Sequence, residues 1–89
     1  MYDVYPEYSW KECITHALEL NGESWDDIEY TPFNEKALSM SFDPRDEEKH
    51  YVPPAEAAWT EKCVYTIWFD AEEGYYLITP YLRNPPSLL

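Results

Sequence analysis

Lys62-Cys63-Val64-Tyr65-Thr66-Ile67-Trp68-Phe69-Asp70-Ala71-Glu72-Glu73-Gly74-Tyr75-Tyr76-Leu77-Ile78-Thr79 is the stretch on which the fold turns. Lys62 to Phe69 is rich in β-branched and aromatic side chains and reads as the strongest strand of the chain. Asp70 to Gly74 follows as a hairpin loop, with Gly74 available for a positive φ. Tyr75 to Thr79 repeats the strand chemistry on the return, and Pro80 is expected to stop it. Two strands joined by so short a loop pair antiparallel. Such a hairpin has a face to bury and needs a second layer to bury it against.

Ser9 to Gly22 supplies that layer. Ser9-Trp10-Lys11-Glu12 fits the capping box, with Ser at the N-cap and Glu at N3. Trp10, Cys13, Ile14, Ala17 and Leu18 recur at helical spacing and form one apolar stripe, while Lys11, Glu12, Thr15, His16 and Glu19 lie off it. Gly22 is placed to stop the helix after Asn21. Tyr8 stands where a hydrophobic staple residue would stand.

Further out, residues 1–8 read as an extended aromatic arm docked on the body. Glu23 to Asp27 is a polar connector around Trp25, and Ile28-Glu29-Tyr30-Thr31 is a short strand ending near Pro32. Asn34-Glu35-Lys36 reads as a turn. Leu38-Ser39-Met40-Ser41-Phe42 alternates strictly and reads as another strand, with Leu38, Met40 and Phe42 toward the helix. Residues 43–58 form a long acidic connection, with a helical turn over Pro54–Ala58. The tail from Tyr81 wraps the body. The expected class is α+β: one N-terminal helix packed on an antiparallel sheet of about four strands, with residues 1–89 forming a single domain.

Composition narrows the function classes. Eighteen acidic residues against six basic ones give a net charge of −12. Direct binding to nucleic acid needs Lys and Arg to displace counterions, and anionic membranes ask the same, so neither is expected as a partner. A basic protein surface is the natural counterpart. Aromatics at 18% argue against long disorder. No apolar run approaches the ~20 residues of a membrane span, and Met1 to Trp10 lacks the basic and apolar regions of a signal peptide. A cytoplasmic protein with Cys13 and Cys63 as buried, reduced thiols is the resulting expectation.

Trp59-Thr60-Glu61-Lys62-Cys63-Val64-Tyr65, the loop Asp70–Gly74 and Arg83-Asn84-Pro85 together resemble the C-terminal part of a group of small phage-encoded proteins. The corner Asn21-Gly22-Glu23-Ser24-Trp25-Asp26-Asp27 is similar to the same group. The resemblance covers a little under half the chain, and the acidic loop 43–58 is longer here than in that group. It implies a phage or mobile-element origin, the host cytoplasm as location, and no particular activity.

Chemistry-bearing patterns are sparse. Cys13 and His16 are three apart on the helix, with His50 and Cys63 alone elsewhere. Paired metal-ligand spacing is missing, and two core thiols with two surface histidines is the simpler reading. Asp43, Asp46, Glu47, Glu48 and Glu56 do not follow the order of a calcium loop, since Pro44 and Arg45 interrupt it. Two glycines in all cannot build a phosphate-cradling loop, and neither a nucleophile elbow nor a triad is visible. Neither a cofactor nor enzymatic activity is expected.

The acids gather in three groups at turns: Glu23, Asp26, Asp27 and Glu29; Asp43, Asp46, Glu47 and Glu48; Asp70, Glu72 and Glu73. Turn acids are ordinarily just solvated. Arrayed along one surface, they can imitate a row of phosphates and fill a groove built for nucleic acid. Nine Tyr, four Trp and three Phe exceed what one thin core needs, and Tyr51, Tyr75, Tyr76 and Tyr81 are expected at the surface as interface anchors. The acid groups with Tyr51, Tyr75 and Tyr76 are thus the candidate partner-binding residues. The expected function is that of an acidic inhibitor, a nucleic-acid mimic, directed at a host nucleic-acid-handling or defence protein such as an RNA-guided effector. A homo-oligomeric accessory domain and a small-molecule-sequestering protein are the alternatives.

Overall fold

The computed structural model describes residues 2–4, 7–41 and 52–83. Their elements are, in chain order, strand β1 (Tyr2–Val4), helix α1 (Trp10–Leu20), a 3-10 turn (Trp25–Asp27), strand β2 (Ile28–Tyr30), the one-turn helix α2 (Glu35–Leu38), and strands β3 (Glu56–Thr60), β4 (Cys63–Asp70) and β5 (Tyr75–Leu82). The strands form one antiparallel sheet in the order β1-β5-β4-β3-β2. The class is α+β as expected, with five strands in place of about four.

The β4–β5 hairpin is the spine of the sheet. Its register runs without a break from Asp70↔Tyr75 to Cys63↔Leu82. Gly74 closes the loop at φ +77° and donates its N–H to the Asp70 carbonyl at 2.8 Å. The Asp70 carboxylate accepts from the N–H groups of Glu72 and Glu73, at 3.0 and 3.3 Å, which fixes the tip. Pro80 does not end β5, contrary to expectation; it pairs opposite Tyr65. The pairing of β1 with β5 ends at Tyr2↔Ile78, so Pro80 lies where β5 is an edge on that side and its missing N–H is tolerated.

Helix α1 follows its sequence signals at both ends. Ser9 Oγ accepts from Glu12 N at 3.2 Å and Glu12 Oε1 accepts from Ser9 N at 3.3 Å. At the far end Gly22 takes φ +74°, its N–H reaches the Glu19 carbonyl, and the Glu23 N–H reaches the Leu18 carbonyl at 2.8 Å. This is a Schellman stop. All five residues of the apolar stripe are buried. They meet Val4, Phe33, Ala37, Ala57, Ala58, Tyr65 and Ile78 in one core. Ser9→Ala removes the hydroxyl that accepts from Glu12 N, while the backbone N–H that donates to Glu12 Oε1 remains; it is expected to cost about 1 kcal/mol, read as a lower urea midpoint at unchanged slope.

Two further expectations are corrected and a third is sharpened. Leu38–Phe42 is not a strand among its described residues. Leu38 closes α2, because Asn34 Oδ1 caps the Ala37 N–H at 2.8 Å and Ala37 drops into the core. A local cap and one buried methyl outweigh a short alternation; of the rest only Ser41 forms an isolated bridge, and Phe42 lies outside the described residues. Pro54–Ala58 is not a helical turn. Glu56–Thr60 is a strand paired on both edges, with a bulge between Glu56 and Ala58, and Ala57, Ala58 and Thr60 are fully buried. Tertiary pairing overrides the helix preference of alanine there. The N-terminal arm, expected to dock as an extended segment, supplies the fifth strand: Val4 pairs with Tyr76 and enters the core. No helix among the described residues is long and apolar enough to cross a membrane.

Candidate interaction face

Alternation along β4 divides its side chains between the two faces of the sheet. Tyr65 is fully buried and Ile67 packs on the core toward α1. Val64, Thr66 and Trp68 therefore point the other way. Their partners in β5, namely Tyr81, Thr79 and Leu77, share that face. β3 adds Glu56 and Trp59, opposite Thr66 and Val64, and β2 adds Tyr30, opposite Trp59. No helix of the described residues covers this face. Trp68 is 55% exposed, Tyr30 59% and Tyr81 49%.

Polar groups of the open face fix two of its rings. Trp59 Nε1 donates to Glu56 Oε2 at 2.5 Å, and Trp68 Nε1 donates to Thr66 Oγ1 at 2.9 Å. Thr66 Oγ1 in turn donates to the Thr79 carbonyl at 3.1 Å. The Arg83 guanidinium lies 5.3 Å from the Trp59 ring centroid, pairs with Glu29, and donates to the Thr60 carbonyl at 2.9 Å. Indoles held by their own N–H groups lose little freedom when a partner covers them, which is the preorganisation an interface rewards.

Carboxylates flank the face at both ends of β4. Asp70, Glu72 and Glu73 form the hairpin tip. At the other end a recess is lined by Glu23, Asp26, Asp27, Glu29 and Glu61, with Lys62 as its basic member. Eight residues of β4 separate the two ends, roughly 23 Å at strand rise.

The expected site residues divide into distinct environments. Asp26, Asp27, Glu29, Glu72 and Glu73 are exposed. Asp27 is engaged locally, accepting from Ser24 N at 2.8 Å, and Glu29 holds Arg83. Asp70 is partly exposed and caps the tip. Glu23 is withdrawn from the surface, at 9% exposure, and accepts a 2.5 Å hydrogen bond from the Tyr65 hydroxyl. The Schellman stop turns the chain inward at this residue. Asn21 Nδ2 donates to the same hydroxyl at 3.1 Å and approaches Cys63 Sγ at 3.4 Å. Burial first, and the Glu23 carboxylate second, hold the Tyr65 hydroxyl protonated well above the usual tyrosine range. Tyr75 and Tyr76 are half-buried and pack on the core. Tyr76 packs edge-on to Trp10 with centroids 5.6 Å apart, and burial raises its hydroxyl pKa. Asp43, Asp46, Glu47, Glu48 and Tyr51 lie outside the described residues.

Tyr81 is exposed as expected. Trp68, Trp59, Tyr30 and Arg83 were not among the expected site residues, although the alternation that buries Tyr65 already sends Trp68 to the opposite face. Cys13 and Cys63 are buried and not joined in a disulfide, whereas His16 is exposed beside the Tyr8 ring. Among the described residues no group of three or more His, Cys, Asp or Glu side chains is placed to hold a metal. No protein-family model, no curated protein and no solved structure matches the chain.

Proposed function

We propose that the chain is a non-catalytic, acidic binding protein of the cytoplasm. It docks on the basic nucleic-acid groove of a nucleic-acid-handling protein and blocks it, as an inhibitor carried by a phage or mobile element would. One observation carries the reading: an open, aromatic sheet face whose indoles are locked in place, bounded at both ends of β4 by carboxylates. The carboxylates answer the positive groove and speed encounter, while the aromatics supply the desolvated contact. The charge of −12 supports the same partner.

The test is retention of proteins from a cell lysate on the immobilised chain, followed by elution with heparin or with salt. Basic nucleic-acid-binding proteins are expected in the eluate, displaced by heparin and by moderate salt. A retained protein indifferent to both would count against the reading, as would no retained protein at all. The exposed aromatic face also suits self-association, though pairing two copies opposes −12 with −12. Light scattering separates the two: docking on a basic partner predicts a monomer at high concentration.

A further inference from the structure

At the hairpin end of the open face, Trp68, Leu77, Thr79 and Tyr81 line a shallow recess together with Asp70 and Glu72. The sheet already holds one guanidinium in a comparable setting. Arg83 lies over the Trp59 ring, and the Glu29 carboxylate takes its Nη1 hydrogen. Trp68 and Asp70 repeat the receiving half of that arrangement. The indole is more than half exposed, and its N–H is tied to Thr66, so the ring is held in one orientation. Asp70 follows two residues on along the same face of the same strand, about 6.5–7 Å away. Its Oδ1 is anchored by the Glu72 and Glu73 N–H groups, which fixes the carboxylate. Among the described residues no Lys or Arg lies over Trp68 or pairs with Asp70 or Glu72.

We infer that this recess receives an arginine side chain of a basic partner protein, with the guanidinium over the Trp68 indole and paired with Asp70. Glu72 adds negative charge at the rim. The inference rests on the reading of the chain as a protein that docks on a basic surface, and it names the contact made there. Arginine is favoured over lysine because a planar, weakly hydrated guanidinium stacks on an indole while its edge still meets a carboxylate. A lysine ammonium answers the charge but cannot use both surfaces at once.

The probe is a short synthetic peptide of alternating arginine and glycine, set against counterparts with lysine or uncharged citrulline at the same positions. Binding is followed through the indole N–H signals of the isotope-labelled protein in wild type, Trp68→Ala and Trp68→Phe. The arginine peptide is expected to move the Trp68 signal, leave that of buried Trp10 in place, and bind about fivefold more tightly than the lysine peptide. Trp68→Ala should lose about that factor, Trp68→Phe should recover part of it, and citrulline should abolish binding. Because Trp68 is exposed, an unchanged Trp10 signal in the variant shows that the fold persists. Equal binding of the arginine and lysine peptides, or arginine binding unchanged in Trp68→Ala, overturns the inference while leaving docking by charge intact. A wild-type protein that retains no basic protein and binds neither cationic peptide removes both.

Discussion

Trp10→Ala is expected to destabilise the fold by about 3–5 kcal/mol. The ring is fully buried and packs against aromatic side chains of two other segments. It lies 5.6 Å from Phe33, on the segment before α2, and 5.6 Å from Tyr76 on β5. Its backbone N–H, which as a first-turn donor has no partner within the helix, donates to the Met40 carbonyl at 2.8 Å. Helix, sheet and the α2 segment therefore meet at this residue. A chain of this size has roughly 5–15 kcal/mol in total, so the loss approaches the whole reserve. Urea denaturation followed by far-ultraviolet circular dichroism measures it. Trp10→Phe should restore much of the midpoint, and a cost below about 1 kcal/mol for the alanine variant would show that the core is not organised around this ring.

Tyr65→Phe has the next largest expected effect, about 1–3 kcal/mol at neutral pH. The substitution keeps the ring and deletes the hydroxyl that serves Glu23 and Asn21, leaving a nine-tenths buried carboxylate short of a donor. The same hydroxyl makes stability depend on alkaline pH. An unfolded tyrosine releases its proton near 10, whereas folded Tyr65 keeps it to higher pH. Unfolding then releases a proton, so the stabilisation is complete below that pH and falls as pH climbs above it, by up to about 1.4 kcal/mol per unit for this group. Tyr76 acts in the same direction. Urea midpoints from about pH 8 to about pH 11 should fall in the wild type, and less steeply in Tyr65→Phe. Parallel slopes would detach Tyr65 from the effect.

The elements legible in the sequence are those whose signals are local. Ser9, Glu12 and Gly22 mark α1 through bonds within one turn, and Gly74 marks the hairpin in the same way. The misread elements depend on partners far along the chain. Ala57 and Ala58 read as helix because nothing nearby says that Tyr65 will pair against one of them and β2 against the far end of the same strand. Pro80 read as a stop because its tolerance depends on where β1 ends. Tyr2–Val4 could not be counted as a strand until β5 offered an edge.

The site divides along the same line. The acids of the hairpin tip are turn residues and remain where a turn puts them. Glu23 looked like its neighbours, but a hydroxyl 42 positions away draws it inside. Tyr75 and Tyr76 look as exposable as Trp68. Their packing on the core, which brings Tyr76 edge-on to Trp10, is set by the closing of α1 over the sheet. Trp68 itself was legible: once Tyr65 faces the core, strand alternation leaves no other face for it.

Docking through the open face of the sheet, and not through the helical side, fixes which residues a partner would cover. Hydroxyl-radical footprinting of the chain alone and in complex with a retained basic protein reads this residue by residue. Protection of Trp68, Tyr81 and Tyr30 is expected in the complex, with Leu20 at the end of α1 as reactive as in the free chain. Protection of Leu20 with Trp68, Tyr81 and Tyr30 left open would contradict docking through the open face.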